Sequence, residues 1–235
     1  MVNAFNIVSW NVKGLNHPMK RKKVFSHLKH LRSKIVFLQE THVRTSNLSL
    51  LLRWSGQSFH SMFQAKARGV SILISQDIPF EPHNVLSDNN GRYIILSGKL
   101  YNILVVLVNV YVPNVDDAEF FKRLFSLLPD LNTYHLILGG DLNCWLDPTL
   151  DRSSGNPGAV NKSTCLINDF LTDFGICDVW RFLHPNDKEF SFFSQVHHSY
   201  SRIDYFLLDN QLIPSVHSCE YQPIVISDCY INWLY

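Results

Sequence analysis

The 235-residue chain lacks the features that would divide it or send it to a membrane. It has no Gly/Ser-rich tract, no acidic block and no repeat at a fixed period, so no linker is drawn and one domain spanning 1–235 is expected. No apolar run is long enough to cross a bilayer. Leu100 to Val112, the most apolar stretch, is short, carries Asn102 and Asn109, and is β-branched like a buried strand. Met1-Val2-Asn3-Ala4 lacks the basic-then-apolar pattern of a signal peptide. The five cysteines, Cys144, Cys165, Cys177, Cys219 and Cys229, are odd in number and scattered, fitting neither a disulfide framework nor a zinc site. These absences point to an intracellular, reduced protein with no membrane partner. Charge is scarce at 17%, with a net of +1, while 46% hydrophobic residues suffice for a sizeable core.

The charge is unevenly placed. The first 40 residues hold eight Lys and Arg against Glu40 alone, which leaves a net charge of −6 on the rest. Lys13, Lys20, Arg21, Lys22, Lys23, Lys29, Arg32 and Lys34 flank a helix whose Val24, Leu28 and Leu31 form an i, i+4, i+7 stripe. A solvated helix face accounts for most of these cations somewhat more readily than a nucleic-acid footprint. Apolar patterning predicts strands near 5–11, 35–39, 69–75, 93–99, 102–112, 135–139, 191–194, 203–208 and 216–226. Helices fit 18–31, 117–128 and 164–174, with Pro18 near the first start and Asp116 as the cap of the second. Many short strands with few helices favour a mixed α/β sandwich over a doubly wound parallel sheet. The turn-rich Asp147 to Lys162 reads as a loop.

What the chain does have is a series of polar residues closing its apolar runs. Asn11 follows Ser9-Trp10, Glu40 follows Phe37-Leu38-Gln39, Tyr111 follows Asn109-Val110, and Asp204 follows Ser201-Arg202-Ile203. Gly139-Gly140-Asp141-Leu142-Asn143 follows Leu136 to Leu138, and on an extended segment Asp141 and Asn143 would leave by one face. A carboxylate that accepts and an amide that donates suit a site where a water is oriented and a phosphate oxygen held. Any one of these alone is more often a turn former or a strand-terminating polar residue. Six in one chain, at the places where core burial stops and the rigid frame continues, indicate a site.

Their order and flanks resemble the endonuclease/exonuclease/phosphatase superfamily, the fold of deoxyribonuclease I and the abasic-site endonucleases. The likeness is strongest to the endonuclease domain of long-interspersed-element retrotransposons. It is carried by Ser9-Trp10-Asn11-Val12-Lys13-Gly14-Leu15-Asn16, Lys20-Arg21-Lys22-Lys23, Leu38-Gln39-Glu40-Thr41-His42, Leu150-Asp151-Arg152-Ser153, and Phe192-Phe193-Ser194 followed by Ser201-Arg202-Ile203-Asp204. The resemblance covers about Phe5 to Asp228. It implies a four-layered α/β sandwich: two packed, mostly antiparallel sheets flanked by helices, with the site at one edge. It also implies a divalent metal, Mg2+ or Mn2+, bound by Glu40 with Asn11 and Asp228 beside it. A hard cation held by one or two carboxylates, water and substrate phosphate needs no dedicated cage.

By the same likeness Asp141 would activate the attacking water, Asn143 would steady charge on phosphorus, and Tyr111 would hydrogen-bond a phosphate oxygen. Asp204 would fix the tautomer of a histidine that follows Asp228. Here that position is Cys229, within Ser227-Asp228-Cys229. A thiol is a weak donor and never a cation, so it does not reproduce an imidazole pinned by a carboxylate. Arg152, Ser191, Ser201, Arg202 and Ile203 match positions that in the family lie near DNA backbone or groove. DNA is therefore the expected partner and the nucleus the expected compartment, while no protein partner is inferred. The tail Tyr230 to Tyr235 lacks clear alternation and suggests a final strand truncated after 228. The expected activity is a metal-dependent endonuclease that nicks DNA to leave a 3′-hydroxyl, impaired at Cys229. The alternative is a catalytically inactive nucleic-acid-binding remnant. An abasic-site endonuclease or a lipid or inositol phosphatase would share the core stations but need loops other than Leu-Asp-Arg-Ser and Ser-Arg-Ile-Asp.

Overall fold

The computed structural model describes residues 5–43, 55–63, 67–112, 114–153, 160–222 and 231–235. Two sheets pack face to face. The first comprises β1 (Asn6–Asn11), β2 (Ser33–Gln39), β3 (Gln57–Ser61), β4 (Val70–Ile74), β13 (Cys219–Gln222) and β14 (Ile231–Leu234), in the order β13-β14-β1-β2-β4-β3. The second comprises β5 (Phe80–Ser87), β6 (Tyr93–Leu100), β7 (Ile103–Tyr111), β8 (His135–Asp141), β9 (Ile176–Asp178) and β12 (Asp204–Asp209), in the order β5-β6-β7-β8-β12-β9. A separate hairpin joins β10 (Phe192–Ser194) to β11 (Ser199–Ser201). Among the described residues only β1 with β2 and β7 with β8 pair in parallel; the other pairs are antiparallel.

Helix α1 (Pro18–His30) covers the outer face of the first sheet, where Val24 and Leu28 meet Val8, Trp10, Val36 and Leu38. Helices α2 (Ala118–Ser126) and α3 (Lys162–Asp173) cover the second, with Phe120, Phe121, Leu124, Ile167 and Phe170 against Val106, Val108, Leu138 and Leu207. A short helix, α4 (Val179–Leu183), follows β9. The result is the expected four layers. Because both faces of the central strands are covered, β1 and β4 are buried along their whole length and β2 and β7 along most of theirs.

The strand period still decides which residues meet between the sheets. Ile7, Ile35, Phe37, Val105, Leu107, Ile137, Phe206 and Leu208 form that inner layer. Continuing the same period of two leads from Ile7 to Ser9 and Asn11, from Phe37 to Gln39, from Leu107 to Asn109 and Tyr111, and from Ile137 to Gly139 and Asp141. The inner layer thus turns from apolar to polar at one common end of the sandwich.

Several sequence expectations are corrected. The tail forms a strand: Ile231–Leu234 is inserted between β13 and β1 and hydrogen-bonded to both. Its short run shows no alternation because pairing on both sides, rather than one apolar face, holds it. Asp116 does not cap α2; Asp117 does, accepting from Phe120 N, while Asp116 accepts from the backbone of Lys162 and Ser163 at the start of α3. The strand expected from 216 begins at Cys219, because Asn210–Ser215 forms a 3-10 helix and Val216 caps it. Strands β3, β5, β9 and β11 carry too little apolar pattern to be read in advance.

Candidate active site at the strand ends

Asn11, Tyr111 and Asp141 are the last residues of β1, β7 and β8, and Asp204 is the first of β12. Asp204 stands opposite Asp141 in the β12–β8 register, and Tyr111 stands opposite Asp141 in β7–β8. Two glycines allow this approach. A Cβ on Gly139 would sit 2.7 Å from ring atoms of both Phe37 and Phe206, so only hydrogen fits where the sheets touch. Gly140 has φ +145°, and a Cβ there would lie 2.0 Å from the Val110 carbonyl oxygen. The Gly-Gly pair brings the Asp141 end of β8 against its neighbours.

Glu40 is the first residue beyond β2. On a continuing strand it would face the opposite layer from Gln39, but its φ of +49° turns the chain. Its carboxylate then joins the inner set: Asn11 Nδ2 donates to Glu40 Oε1 at 2.8 Å and to Asp141 Oδ2 at 3.1 Å. One buried amide therefore bridges two carboxylates from two sheets. The Asn11 carbonyl accepts from Lys13 N, which fixes the direction of the amide. His42 Nε2 lies 3.5 Å from Glu40 Oε2.

The electrostatics separate the carboxylates. Burial alone would raise Glu40, yet His42, Asn11 and the Tyr111 hydroxyl hold it below the ordinary carboxylate range. Asp141 moves up, chiefly through burial and further through Glu40, against the pull of Asn11 and the Asn143 N–H. Asp204 is raised well above the usual range by burial and then by Asp141, against the pull of Ser191. Tyr111 is also pushed up, by burial and by Glu40 and Asp141, so its hydroxyl stays a neutral donor. The partly exposed carboxylate of Glu40 thus gives up its proton at lower pH than an ordinary carboxylate, and the two buried ones at higher pH, which makes Asp141 a stronger proton acceptor once ionised.

Asn143 departs from the extended geometry that its spacing suggests. Its φ is +49°, its backbone N–H donates to Asp141 Oδ1, and its side-chain amide donates to the Val112 carbonyl. The chain turns directly after β8, so Asp141 and Asn143 do not leave a common strand face. Asp228 and Cys229 lie outside the described residues.

The residues matched to DNA-contacting positions divide. Arg202 is 0% exposed. Its guanidinium bonds Asp151 through Nε and Nη2 and Asp178 through Nη1 and Nη2, at 2.6–3.0 Å, and lies over the Trp180 and Tyr205 rings. Asp151 also accepts from Arg181, the Leu146 and Asp147 amides and the Tyr205 hydroxyl. Arg202 is thus a core cation, not a surface contact, because two carboxylates neutralise it inside the fold. Ile203 is buried too, and Ser191 is wholly buried, its hydroxyl oxygen accepting from the Ile203 and Asp204 amides. The Asp-Arg-Ser and Ser-Arg-Ile-Asp segments are therefore joined to each other: Arg152 bridges to Ser201, and Arg202 N donates to Asp151 O. Arg152 and Ser201 remain partly exposed, with Arg152 over the Trp145 ring. His197 and His198 occupy the exposed turn of the β10–β11 hairpin.

Sequence reasoning gave no role to a polar bridge beneath the site. Gln39 Nε2 donates to Asn109 Oδ1 and Ser9 Oγ, and Asn109 Nδ2 donates to the Leu38 and Ser71 carbonyls. Both amides are wholly buried and join the sheets one residue behind Glu40 and two behind Tyr111. The available signal was an amide in each of two otherwise apolar strands.

Glu40 and Asp141, joined through the Asn11 amide, present hard carboxylate oxygens, which fit a hard cation rather than a thiolate- or imidazole-preferring one. Among the described residues no three His, Cys, Asp or Glu side chains gather into a complete cage.

Comparison with known proteins supports the fold. A 149 kDa protein of transposon TX1 from Xenopus laevis is 29% identical over 235 residues, covering 96% of this chain and 17% of that protein. This chain therefore spans under a fifth of the length of that relative. An exodeoxyribonuclease of Bacillus subtilis (strain 168) is 26% identical, covering 88% of both chains. The catalytic domain of Xenopus laevis APE2 superposes with a TM-score of 0.78 at 22% identity, over 98% of this chain and 91% of that one. The AP endonuclease LMAP of Leishmania major gives 0.74 at 17% identity, over 98% and 86%. The sequence profile of the Endonuclease/Exonuclease/phosphatase family matches residues 8–228, a span that begins in β1 and runs through every station from Asn11 to Asp204, and the chain belongs to that family.

Proposed function

We propose that this chain is a DNA endonuclease domain of retrotransposon type, hydrolysing a phosphodiester with a divalent cation, Mg2+ or Mn2+, and leaving a 3′-hydroxyl. The observation that carries the reading is the single amide of Asn11 holding Glu40 and Asp141 together at the common polar end of two sheets. Glu40, with Asn11 beside it and Asp228 as a second carboxylate, would hold the cation, which when bound offsets charge building on the phosphate.

The chain's own groups do the rest. Asp141 accepts the proton of the attacking water. Its Oδ1 is anchored by the Asn143 N–H and its Oδ2 by Asn11, so the accepting direction is set before substrate arrives. Asn143 spends one amide hydrogen on the Val112 carbonyl and keeps the second for a phosphate oxygen. Tyr111, held neutral, donates its hydroxyl to the same phosphate. Arg152, at the rim, holds a flanking phosphate. The similarity to the transposon TX1 protein favours an element-encoded role, which on chromosomal DNA would be carried out in the nucleus.

Cys229 supports a second reading, a nucleic-acid-binding remnant without turnover, because a thiol at the sequence position where the family carries its histidine supplies no imidazole donor. A plasmid-nicking assay with Mg2+, run on the wild type, Cys229→His and Glu40→Ala, separates the two. Nicking that rises in Cys229→His and vanishes in Glu40→Ala supports the endonuclease. DNA binding without nicking in either of the first two proteins supports the remnant.

A further inference from the structure

His42 is a titratable side chain beside the strand-end cluster that the proposed reaction gives no role. Its segment is held from both sides. Val12 N, Gly14 N and Leu15 N donate to the carbonyls of Gln39, Glu40 and Thr41, while Thr41 N and His42 N donate to Gly69 and Arg68. Inside this double ladder Glu40 and His42 both take positive φ, +49° and +54°. Such a backbone is uncommon for non-glycine residues and persists where neighbouring contacts over-determine it.

The two strained residues aim at each other. His42 Nε2 stands 3.5 Å from Glu40 Oε2, is buried, and has no hydrogen-bond partner among the described residues. The other side of the ring lies against Gly14: a Cβ there would meet His42 Nδ1 at 3.1 Å. The absent side chain gives the imidazole its seat. Glu40 Oε1 is already taken by Asn11, so the orientation of the carboxylate depends on what holds Oε2.

We propose that His42 is a positioning residue for Glu40: seated on Gly14, its Nε2–H closes on Oε2 and holds the carboxylate in the orientation that receives a divalent cation. A carboxylate only accepts, so the contact requires the proton on Nε2. Asn11 and His42 then grip one oxygen each, and their N–H groups leave the remaining lone pairs of Glu40 for the cation. This inference rests on the metal-binding reading of Glu40 given above. His42 touches neither substrate nor cation in this arrangement.

The test uses Mn2+ as probe, its binding followed by electron paramagnetic resonance in the absence of DNA. His42→Gln keeps a terminal amide donor at similar reach; His42→Met keeps the length and removes the donor. Thermal melts establish that each variant folds, and His42→Asn, which suits a left-handed backbone but is too short to reach Glu40, stands in if His42→Met does not. The expected result is a Mn2+ affinity about tenfold weaker in His42→Met and within about threefold of wild type in His42→Gln, the scale of a lost outer contact to a metal ligand. In the nicking assay of a Cys229→His background, the half-saturating Mg2+ concentration should rise in His42→Met while turnover at saturating Mg2+ is retained. Unchanged Mn2+ affinity in a folded His42→Met overturns the proposal. So does a loss of turnover that saturating metal does not restore, which would place His42 against substrate. Absence of Mn2+ binding in wild type, unchanged by Glu40→Ala, removes the metal reading itself and this inference with it.

Discussion

The strand-end cluster and the Asp151–Arg202 network are built from the same kinds of group at similar burial, with opposite charge balance. Around Arg202 two arginines meet two aspartates, and every arm of the Arg202 fork has a carboxylate. At the strand ends Asp141 meets Glu40 and Asp204 across neutral amides and hydroxyls, with Lys13 acting on the two inner carboxylates only through space. Charge paired one for one fixes a fold; like charge with fewer opposite partners leaves a place for a cation and a proton. Both regions arise from motif residues, and only their partners tell them apart.

The most demanding test of the uncompensated region is Cys229→His. If the cluster lacks only an imidazole donor beside Asp204, nicking should rise by roughly 10²–10⁴-fold, the usual worth of a general acid/base partner. Equal rates in wild type and Cys229→His, with Cys229→Ala the same, would show that the cluster works without that donor. On the compensated side, Arg202→Met should cost about 3–5 kcal/mol in a urea melt, because it removes the guanidinium that neutralises Asp178 and leaves Asp151 with Arg181 as its remaining cation. A variant as stable as wild type would mean that the two aspartates reach water or other partners.

Removing one charge from the like-charged side should act in the other direction. Asp141 and Asp204 keep their protons to higher pH when folded than when unfolded. Their contribution is therefore neutral below the unfolded carboxylate range near pH 4. It turns unfavourable as pH rises through that range, and levels off above the folded values. In EDTA at pH 8, Asp204→Asn should gain on the order of 1 kcal/mol over wild type, and the gain should vanish by about pH 3.5. A loss of stability at pH 8, measured by thermal melts across pH, would mean that the ionised carboxylate is compensated after all.

Much of the site was legible in the sequence because a strand that ends its apolar run announces where the core stops. Asn11, Tyr111, Asp141 and Asp204 all sit at such ends, and the inner-face period carries from Ile7 or Ile137 directly to them. Asn143 was legible as a residue but not as a geometry, since the argument from spacing holds only while the chain stays extended and its φ of +49° ends that. Strand β5 was hidden for the opposite reason. It pairs with β6 alone and exposes Glu81, Pro82, His83, Asn84 and Val85, so no apolar face marks it. Arg202 was expected near DNA only because it matches a family position, and its burial depends on partners that such a match does not show. Its partners lie 51 and 24 residues away, and no local pattern reveals them.

The smallest expected effect gives the finest division, between the two motif arginines themselves. Arg152 and Arg202 belong to segments that pair with each other, yet Arg152 is partly exposed over Trp145 while Arg202 is sealed between carboxylates. Arg152→Ala removes a rim cation and at most a modest ring contact, so stability should change by less than about 1 kcal/mol. If that cation holds a phosphate, DNA affinity should fall uniformly across sequences. The slope of log affinity against log salt should then become shallower by about one, the value for a single lost phosphate contact. Fluorescence anisotropy of a labelled duplex across a salt series reads both quantities. An unchanged slope would move Arg152 to the side of Arg202, as a residue whose charge serves the fold.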